Sequence, residues 1–283
     1  MDRNQEIALA KMRKSVEKPG SSTESYGEKT LMRFLIARSM NPEKAAKMFC
    51  QWKKWRAEMV PTGYITDSEV ADESAAEKVY LQGLSKNGYP VAIIKLNKHF
   101  ASKDQVQFKK FVVHALDKTI ARCYFSVLLS CRSDICLFNE ARSNDGNFHL
   151  VLVQEMMITM NCLVSSFNGR EIGNEKLIAI LDLQNITYSN VDTRGLITGF
   201  QFLQAYYPER LATCYLLHMP QFFVTVWRFI CRFLDKATQR KMRIVMSEEQ
   251  KQEFIREVGE DVLPEEYGGR AKLVLLQDVA VNY

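Results

Sequence analysis

The run Leu177–Leu181 is apolar at every position, so neither of its two alternating faces suits water. A strand of that kind fits a sheet covered on both sides, as in a parallel α/β layer. The residues that follow agree. Asp192 can cap a helix carrying Leu196, Phe200, Leu203 and Tyr207, which Pro208 stops. A buried strand then fits Cys214–His218, a long helix Gln221–Ala237, a third strand Met242–Met246, and a helix Glu248–Val258. Helix and strand alternate, which predicts an α/β fold with a mainly parallel sheet.

Upstream, Tyr80–Leu84 and Pro90–Leu96 flank Asn87-Gly88, whose residue types tolerate the positive φ angles of a tight hairpin. Pro90 suits the first position of an edge strand. Ser102 and Gln105 have capping-box spacing ahead of a helical stripe, Phe108, Phe111, Val112, Ala115, Leu116 and Ile120. Nearer the start, Leu31, Phe34 and Leu35 mark one short helix. Asn41-Pro42 opens another, carrying Ala45, Phe49, Trp52, Trp55 and Met59. Residues 1–27 read as a flexible basic N-terminus, a short basic helical start followed by a linker at about 18–27, residues 28–60 as a small helical unit, 66–270 as the main lobe and 271–283 as an extension.

Composition is ordinary for a globular chain of 283 residues, 47% apolar and 25% charged. A net charge of +5 does not by itself call for nucleic acid, and none is expected as a partner. The charge is local: Arg228, Arg232, Lys236, Arg240, Lys241 and Arg243 face a single acid, Asp235, between positions 221 and 243. Seven cysteines, four of them Cys123, Cys131, Cys136 and Cys162, lack zinc spacing and read as reduced thiols of the cytosol. The charged N-terminus has no signal-peptide core, and charges interrupt every long apolar run, so membrane contact is expected to be peripheral and transient. No cofactor or metal is called for, and a monomer is expected.

Between Phe222 and Ala237, the residues Phe223, Val226, Trp227, Ile230, Phe233, Leu234 and Ala237 fall on one helical face. Arg228, Arg232, Lys236 and Arg240 lie on the other. An ordinary surface helix over a core has this pattern too. The aromatic-heavy apolar side and almost purely basic polar side also suit a helix that can lie against anionic headgroups. Close by, Glu209, Thr238 and Lys241 supply a carboxylate, a hydroxyl and an ammonium, the groups that hold a polyol and its phosphate.

Five segments in order, Leu31–Arg38 (LMRFLIAR), Leu177–Leu183 (LIAILDL), Tyr206–Arg210 (YYPER), Phe233–Thr238 (FLDKAT) and Leu263–Gly269 (LPEEYGG), make the chain resemble the CRAL-TRIO family of phosphatidylinositol-transfer-like proteins. The resemblance runs from Glu28 to Gly269 apart from one insertion. It implies an N-terminal helical unit and a lipid-binding lobe whose apolar pocket is closed by an amphipathic gate helix at Phe222–Ala237. It further implies that Arg38, Glu209, Thr238 and Lys241 hold an inositol headgroup. Two departures stand out. Members that also bind phosphatidylcholine carry hydroxyl side chains where this chain has Leu177 and Ala179, and Ile36 replaces a frequent arginine.

The reading that follows is a phospholipid-binding protein, phosphatidylinositol foremost, that exchanges or presents its ligand at membranes. The alternative keeps the fold and carries a sterol, tocopherol or retinoid. Catalysis is not expected: His99, His114, His149 and His218 are scattered, and no nucleophile elbow, glycine-rich phosphate loop or metal-ligand spacing accompanies them. His114 and His218 read as structural.

Residues 122–164 stand outside the family pattern and match neither helical nor strand periodicity. Cys136–Arg142 has the spacing of a phosphatase loop but lacks its glycines, and Glu140 would repel phosphate. Removing the segment would join Ala121 to Ser165 across a passage of ordinary length. Deleting Arg122–Val164 is therefore expected to preserve or improve soluble folding and lipid binding, checked by soluble yield and thermal melting; loss of folding would sink the insertion reading.

Overall fold

In the computed structural model, which describes residues 2–121 and 176–279, the doubly apolar run becomes the middle strand of a five-stranded sheet. The strands are β1 (Val79–Leu84), β2 (Pro90–Lys95), β3 (Leu177–Asp182), β4 (Leu211–Leu217) and β5 (Met242–Val245), in the spatial order β1-β2-β3-β4-β5. β1 and β2 form an antiparallel hairpin turned at Gly88, with φ of 75°, and all other pairings are parallel. Every residue of β3 is buried. The α/β expectation holds, with a correction at β2. That strand is internal, and Pro90 is tolerated because it pairs only toward β1, the ladder to β3 beginning at Val91.

Side chains alternate across the sheet. Tyr80, Val91, Ile93, Ile178, Ile180, Tyr215 and Leu217 point to one face, where Phe254, Ile255 and Val258 of the helix Glu248–Val258 and then Leu263 and Tyr267 cover them. Leu177, Ala179 and Leu181 point to the other. Gly268 (φ 89°) and Gly269 let the chain turn back under this core. A Cβ on Gly269 would sit 1.9 Å from the Leu263 carbonyl oxygen. Tyr267 then donates its hydroxyl to Asp182 at the end of β3, at 2.7 Å, and burial pushes its phenol pKa up. The 271–279 stretch runs along β1, with the Leu81 amide donating to Val274 O, and shields that sheet edge.

Contacts divide the chain into two units, one reaching Cys50 and the second starting at Gln51. In the first, α1 (Arg3–Glu17) is a full helix capped by Asp2, burying Ala8, Leu9, Met12 and Val16. The short basic helical start expected from the sequence is thus a helix of 15 residues with a buried face. Its small apolar stripe packs toward α2 (Glu28–Ala37), and the 18–27 stretch is pinned by Thr23, which accepts from Arg13, and by Tyr26. Tyr26 and Phe34 both meet Phe49 of α3 (Pro42–Met59) edge-on, at 5.0 and 5.3 Å.

In the second unit, α4 (Ala71–Ala75) precedes the hairpin, and residues 105–121 form α5. Asp104, not Ser102, caps α5: its carboxylate accepts from the Val106 and Gln107 amides, while Gln105 reaches only the Ser102 carbonyl. α6 (Thr193–Tyr206) is capped by Asp192 as expected. Behind α5, His114 bonds the Ile65 carbonyl and Asp67, and burial lowers its pKa. His218 bonds Asp182 at 2.8 Å. The expected insertion at 122–164, with its cysteines, His149 and the Cys136–Arg142 loop, lies outside the described residues.

The end of α6 is fastened by polar contacts. Asp117 of α5 accepts the Tyr207 hydroxyl at 2.7 Å and pairs with Arg56 at 2.7 Å, while Trp55 stacks on Tyr206 with ring centroids 3.8 Å apart. Burial opposes the Arg56 charge, but Asp117 and Tyr207 more than offset it, and its pKa is raised. Replacing Asp117 by Ala leaves that guanidinium without its counter-ion. The expected loss is about 2–3 kcal/mol, less than for a fully buried orphan charge because Arg56 keeps some water contact. Urea unfolding of the variant checks this, and an unchanged midpoint would remove the clasp from the account.

Candidate functional site

An apolar cavity of about 170 Å³ opens between the sheet and the two helices that cross its second face. Its floor is Val79, Ala92, Ile94, Leu177, Ala179, Leu181 and Cys214, and its roof is the helical stripe of α5 together with Leu196, Gly199, Phe200 and Leu203 of α6. All of the stripe read from the sequence except Ile120 is therefore cavity wall. Leu177 and Ala179 lie on the floor, so the wall presents methyl groups rather than hydroxyls there. Burial pushes the Cys214 thiol up to about 12, which keeps it protonated and inert.

The amphipathic segment lies against α6. Its helix, α7 (Gln221–Cys231), is shorter than expected, and α8 (Lys236–Gln239) follows after a turn. Asp235 ends the expected continuous helix, because its carboxylate caps the Thr238 amide and starts a new one. Phe223, Trp227, Ile230 and Leu234 are buried and Val226 half-buried, and Trp227 meets the cavity-wall ring of Phe200 at 5.9 Å. The cavity wall itself, among the described residues, contains none of these side chains. Phe233 departs from the expected face. The turn carries it outward, where it is 43% exposed and packs edge-on against Phe229 at 5.3 Å. Arg228, Arg232, Lys236 and Arg240 are all exposed, so the basic face meets solvent alongside two aromatic rings.

Of the four residues expected to hold a headgroup, Glu209 and Lys241 are brought together as an ion pair at 3.1 Å, both only partly exposed. Glu209 holds a positive φ of 57° just after Pro208, and its neighbour Arg210 offers its carbonyl to the Leu177 amide on the cavity floor. Thr238 is buried, and its carbonyl accepts from the Lys241 amide at 3.0 Å. Arg38 belongs to the first unit, at the end of α2, where its guanidinium donates to the Ala37 carbonyl.

Three contributors escaped the sequence reading. Gln204 of α6 donates to the Phe233 carbonyl at 3.2 Å and accepts from the Asp235 amide at 2.6 Å, clasping the turn after α7. Lys78 and His99 are buried on the cavity wall as parts of one polar cluster. No local pattern marks a glutamine in a helix or a lysine before a strand, since their partners are remote in sequence. Among the described residues, no three His, Cys, Asp or Glu side chains are grouped to hold a metal, and no helix is long and apolar enough to cross a membrane.

A family model described as CRAL/TRIO domain matches residues 75–269. A curated relative, the Sec14 cytosolic factor of Schizosaccharomyces pombe, is 25% identical over 96% of this chain and 84% of its own length. The phosphatidylinositol/phosphatidylcholine transfer protein SFH12 of Arabidopsis thaliana is 25% identical over 84% of this chain and 39% of its own length. Among solved structures, the crystal structure of Sfh5 superposes with a TM-score of 0.55 at 13% identity, covering 99% of this chain and 92% of that one. That likeness concerns the fold.

The Gln204 clasp is open to measurement. Gln204→Ala removes both side-chain bonds to the turn and is expected to speed hydrogen exchange at the Asp235 amide about tenfold, in line with the loss of one or two hydrogen bonds. Exchange at the wild-type rate would show that α6 does not hold the turn.

Proposed function

Because the chain belongs to the CRAL/TRIO domain family, we propose that it binds a phospholipid, phosphatidylinositol foremost, in the apolar cavity and exchanges or presents it at membrane surfaces. The observation that carries this is the cavity itself: an almost wholly apolar space roofed by α5 and α6, with the Glu209–Lys241 pair beside its Leu177 end. Glu209 accepts hydroxyl protons and Lys241 pairs with phosphate, so an inositol phosphate can replace their mutual contact with two charge-assisted ones. Thr238, three residues before Lys241, adds a hydroxyl to the set. The names of the transfer-protein relatives support the same ligand class.

At about 170 Å³ the cavity is smaller than the roughly 300–1,000 Å³ of typical small-molecule sites. A two-chain lipid therefore needs the wall to open. The segment suited to move is α7, which rests on α6 through Trp227 and turns its basic face outward. At an anionic membrane, Arg228, Arg232, Lys236 and Arg240 pair with headgroups, and the exposed rings of Phe229 and Phe233 enter the interface. On this reading the protein works as a cytoplasmic monomer that visits membranes transiently, without covalent chemistry. Leu177 and Ala179 on the cavity floor leave a choline lipid without hydroxyl partners there, which favours the inositol lipid.

The experiment is to purify the protein, identify co-purifying lipids by mass spectrometry, and repeat with Glu209→Ala and Lys241→Ala. Phosphatidylinositol is expected in the wild type and reduced about tenfold or more in each variant. Unchanged inositol-lipid recovery in both variants, or a sterol, tocopherol or retinoid in its place, defeats the assignment.

A further inference from the structure

The cavity has a second polar end that the headgroup set does not use. Glu209 and Lys241 lie at the amino-terminal ends of β4 and β5. Lys78, His99 and Asp192 lie beyond the opposite ends of β2 and β3, separated from the first set by the length of β3, roughly 17 Å at strand spacing. Acyl chains reaching that far from a bound headgroup would end in methyl groups. Lys78 and His99 are nevertheless among the lining residues there.

The cluster is fully buried and ordered. Lys78 pairs with Glu73, and their side chains are only 4% and 8% exposed. The Lys78 ammonium also bonds His99 Nδ1 at 3.1 Å, and His99 Nε2 bonds Asp192 at 3.1 Å. An ammonium can only donate, so His99 Nδ1 is the acceptor and Nε2–H donates to Asp192, the neutral tautomer. Burial, and next the Lys78 charge, lower the His99 pKa and keep it so. Asp192 is occupied further by the Gly195 amide, and Glu73 by Lys78.

Two of the three Lys78 N–H groups are thereby taken, and among the described residues the third has no acceptor. The ammonium stands 5.7 and 5.1 Å from the ring centres of Phe108 and Phe111, two residues of the cavity roof, and Lys78 itself lines the cavity. The ammonium therefore sits between its polar partners and the two roof rings, on the wall that Lys78 lines. With His99 neutral, Glu73, Lys78 and Asp192 leave the cluster with one surplus negative charge, so a second anion brought into this dry space would be repelled. A neutral oxygen would not.

We propose that Lys78 is an interior ligand anchor, accepting a neutral hydroxyl or carbonyl oxygen carried by an otherwise apolar ligand at the end of the cavity opposite Glu209 and Lys241. Such an oxygen can come on a free lipid alcohol, or on an oxygenated acyl chain whose headgroup sits at the far end. The inference rests on the cavity being a lipid site, as proposed above.

The test uses the full chain and competition against a fluorescent fatty probe. One arm compares hexadecanol, hexadecanoate and hexadecane. The other compares distearoyl phosphatidylinositol with its 12-hydroxystearoyl counterpart. The wild type is expected to favour an oxygenated ligand over its oxygen-free partner by about tenfold, the usual worth of a hydrogen bond to a charged donor, and hexadecanol over hexadecanoate. A preference in the first arm identifies a free alcohol as the source, and in the second an oxygenated phospholipid. The double variant Lys78→Met/Glu73→Gln removes both charges together, so no buried ion is orphaned, and is expected to lose the preference, with thermal melting to establish that it folds. If the double variant does not fold, Lys78→Arg, which keeps the charge and moves the donors, must shift the preference. Equal affinities within each pair, a preference for hexadecanoate, or a preference that survives in the folded variant overturns the anchor alone. No binding of any probe or phosphatidylinositol by the folded wild type overturns the lipid reading along with it.

Discussion

The burial of β3 on both faces is the constraint from which the second unit is built. Leu177, Ile178, Ile180 and Leu181 each lose nearly all contact with water, and each contributes about 1.5–3 kcal/mol when fully buried. No single layer can provide that. One face needs Glu248–Val258 and the Tyr267 turn, the other needs α5 and α6, and the parallel partners β2 and β4 flank the strand on either side. The bond from Tyr267 to Asp182 ties the C-terminal turn to the end of this same strand.

The two faces are not packed alike. Toward the C-terminal helix the sheet presents branched and aromatic side chains, Ile178, Ile180 and Tyr215, that fill the space. Toward α5 and α6 it presents Ala92, Ala179 and Cys214 among larger residues, and α6 contributes Gly195 and Gly199. Small side chains on both sides of a gap leave room that no neighbour can fill, because the helices are held apart by other contacts. Phe108 under Gly195 at one end, and the Arg56–Asp117–Tyr207 clasp at the other, set that spacing. The cavity follows from fixed helix positions over a shallow floor.

Polar groups bound this space at both ends. The Glu209–Lys241 pair is partly wet, so exchanging its internal contact for a ligand's involves little desolvation. The Glu73–Lys78–His99–Asp192 cluster is dry, and its charges persist only because each has a partner. The amphipathic segment differs again. α7 is held by apolar contact with α6, by Tyr188 against Phe222, and by Gln204 and Gln239 at the turn that follows it, while the exposed residues of the segment include four cations and two rings. An element fastened on one side by few directional bonds is suited to movement.

Much of this was legible from one strand to the next. The doubly apolar run, the Asn87-Gly88 hairpin, the Asp192 cap and the motif order each report a local or nearest-neighbour preference, which is why the α/β sheet and the family could be read directly. The long amphipathic helix was misread for the same reason in reverse: its apolar periodicity runs on past Asp235, whose carboxylate caps the Thr238 amide and starts a new helix. The stripe at Ala8, Leu9, Met12 and Val16 is too small to signal burial without α2. The residue types at positions 209, 238 and 241 were visible in the sequence, and so was the basic face of Arg228, Arg232, Lys236 and Arg240. Only the tertiary structure decided that Phe233 points outward, that the α5 stripe roofs a cavity, and that Lys78 faces His99 across 21 residues and, through it, Asp192 across 93 more. Periodicity tells which side of an element avoids water; what meets that side depends on chain segments far apart, brought together by the folding of the whole sheet.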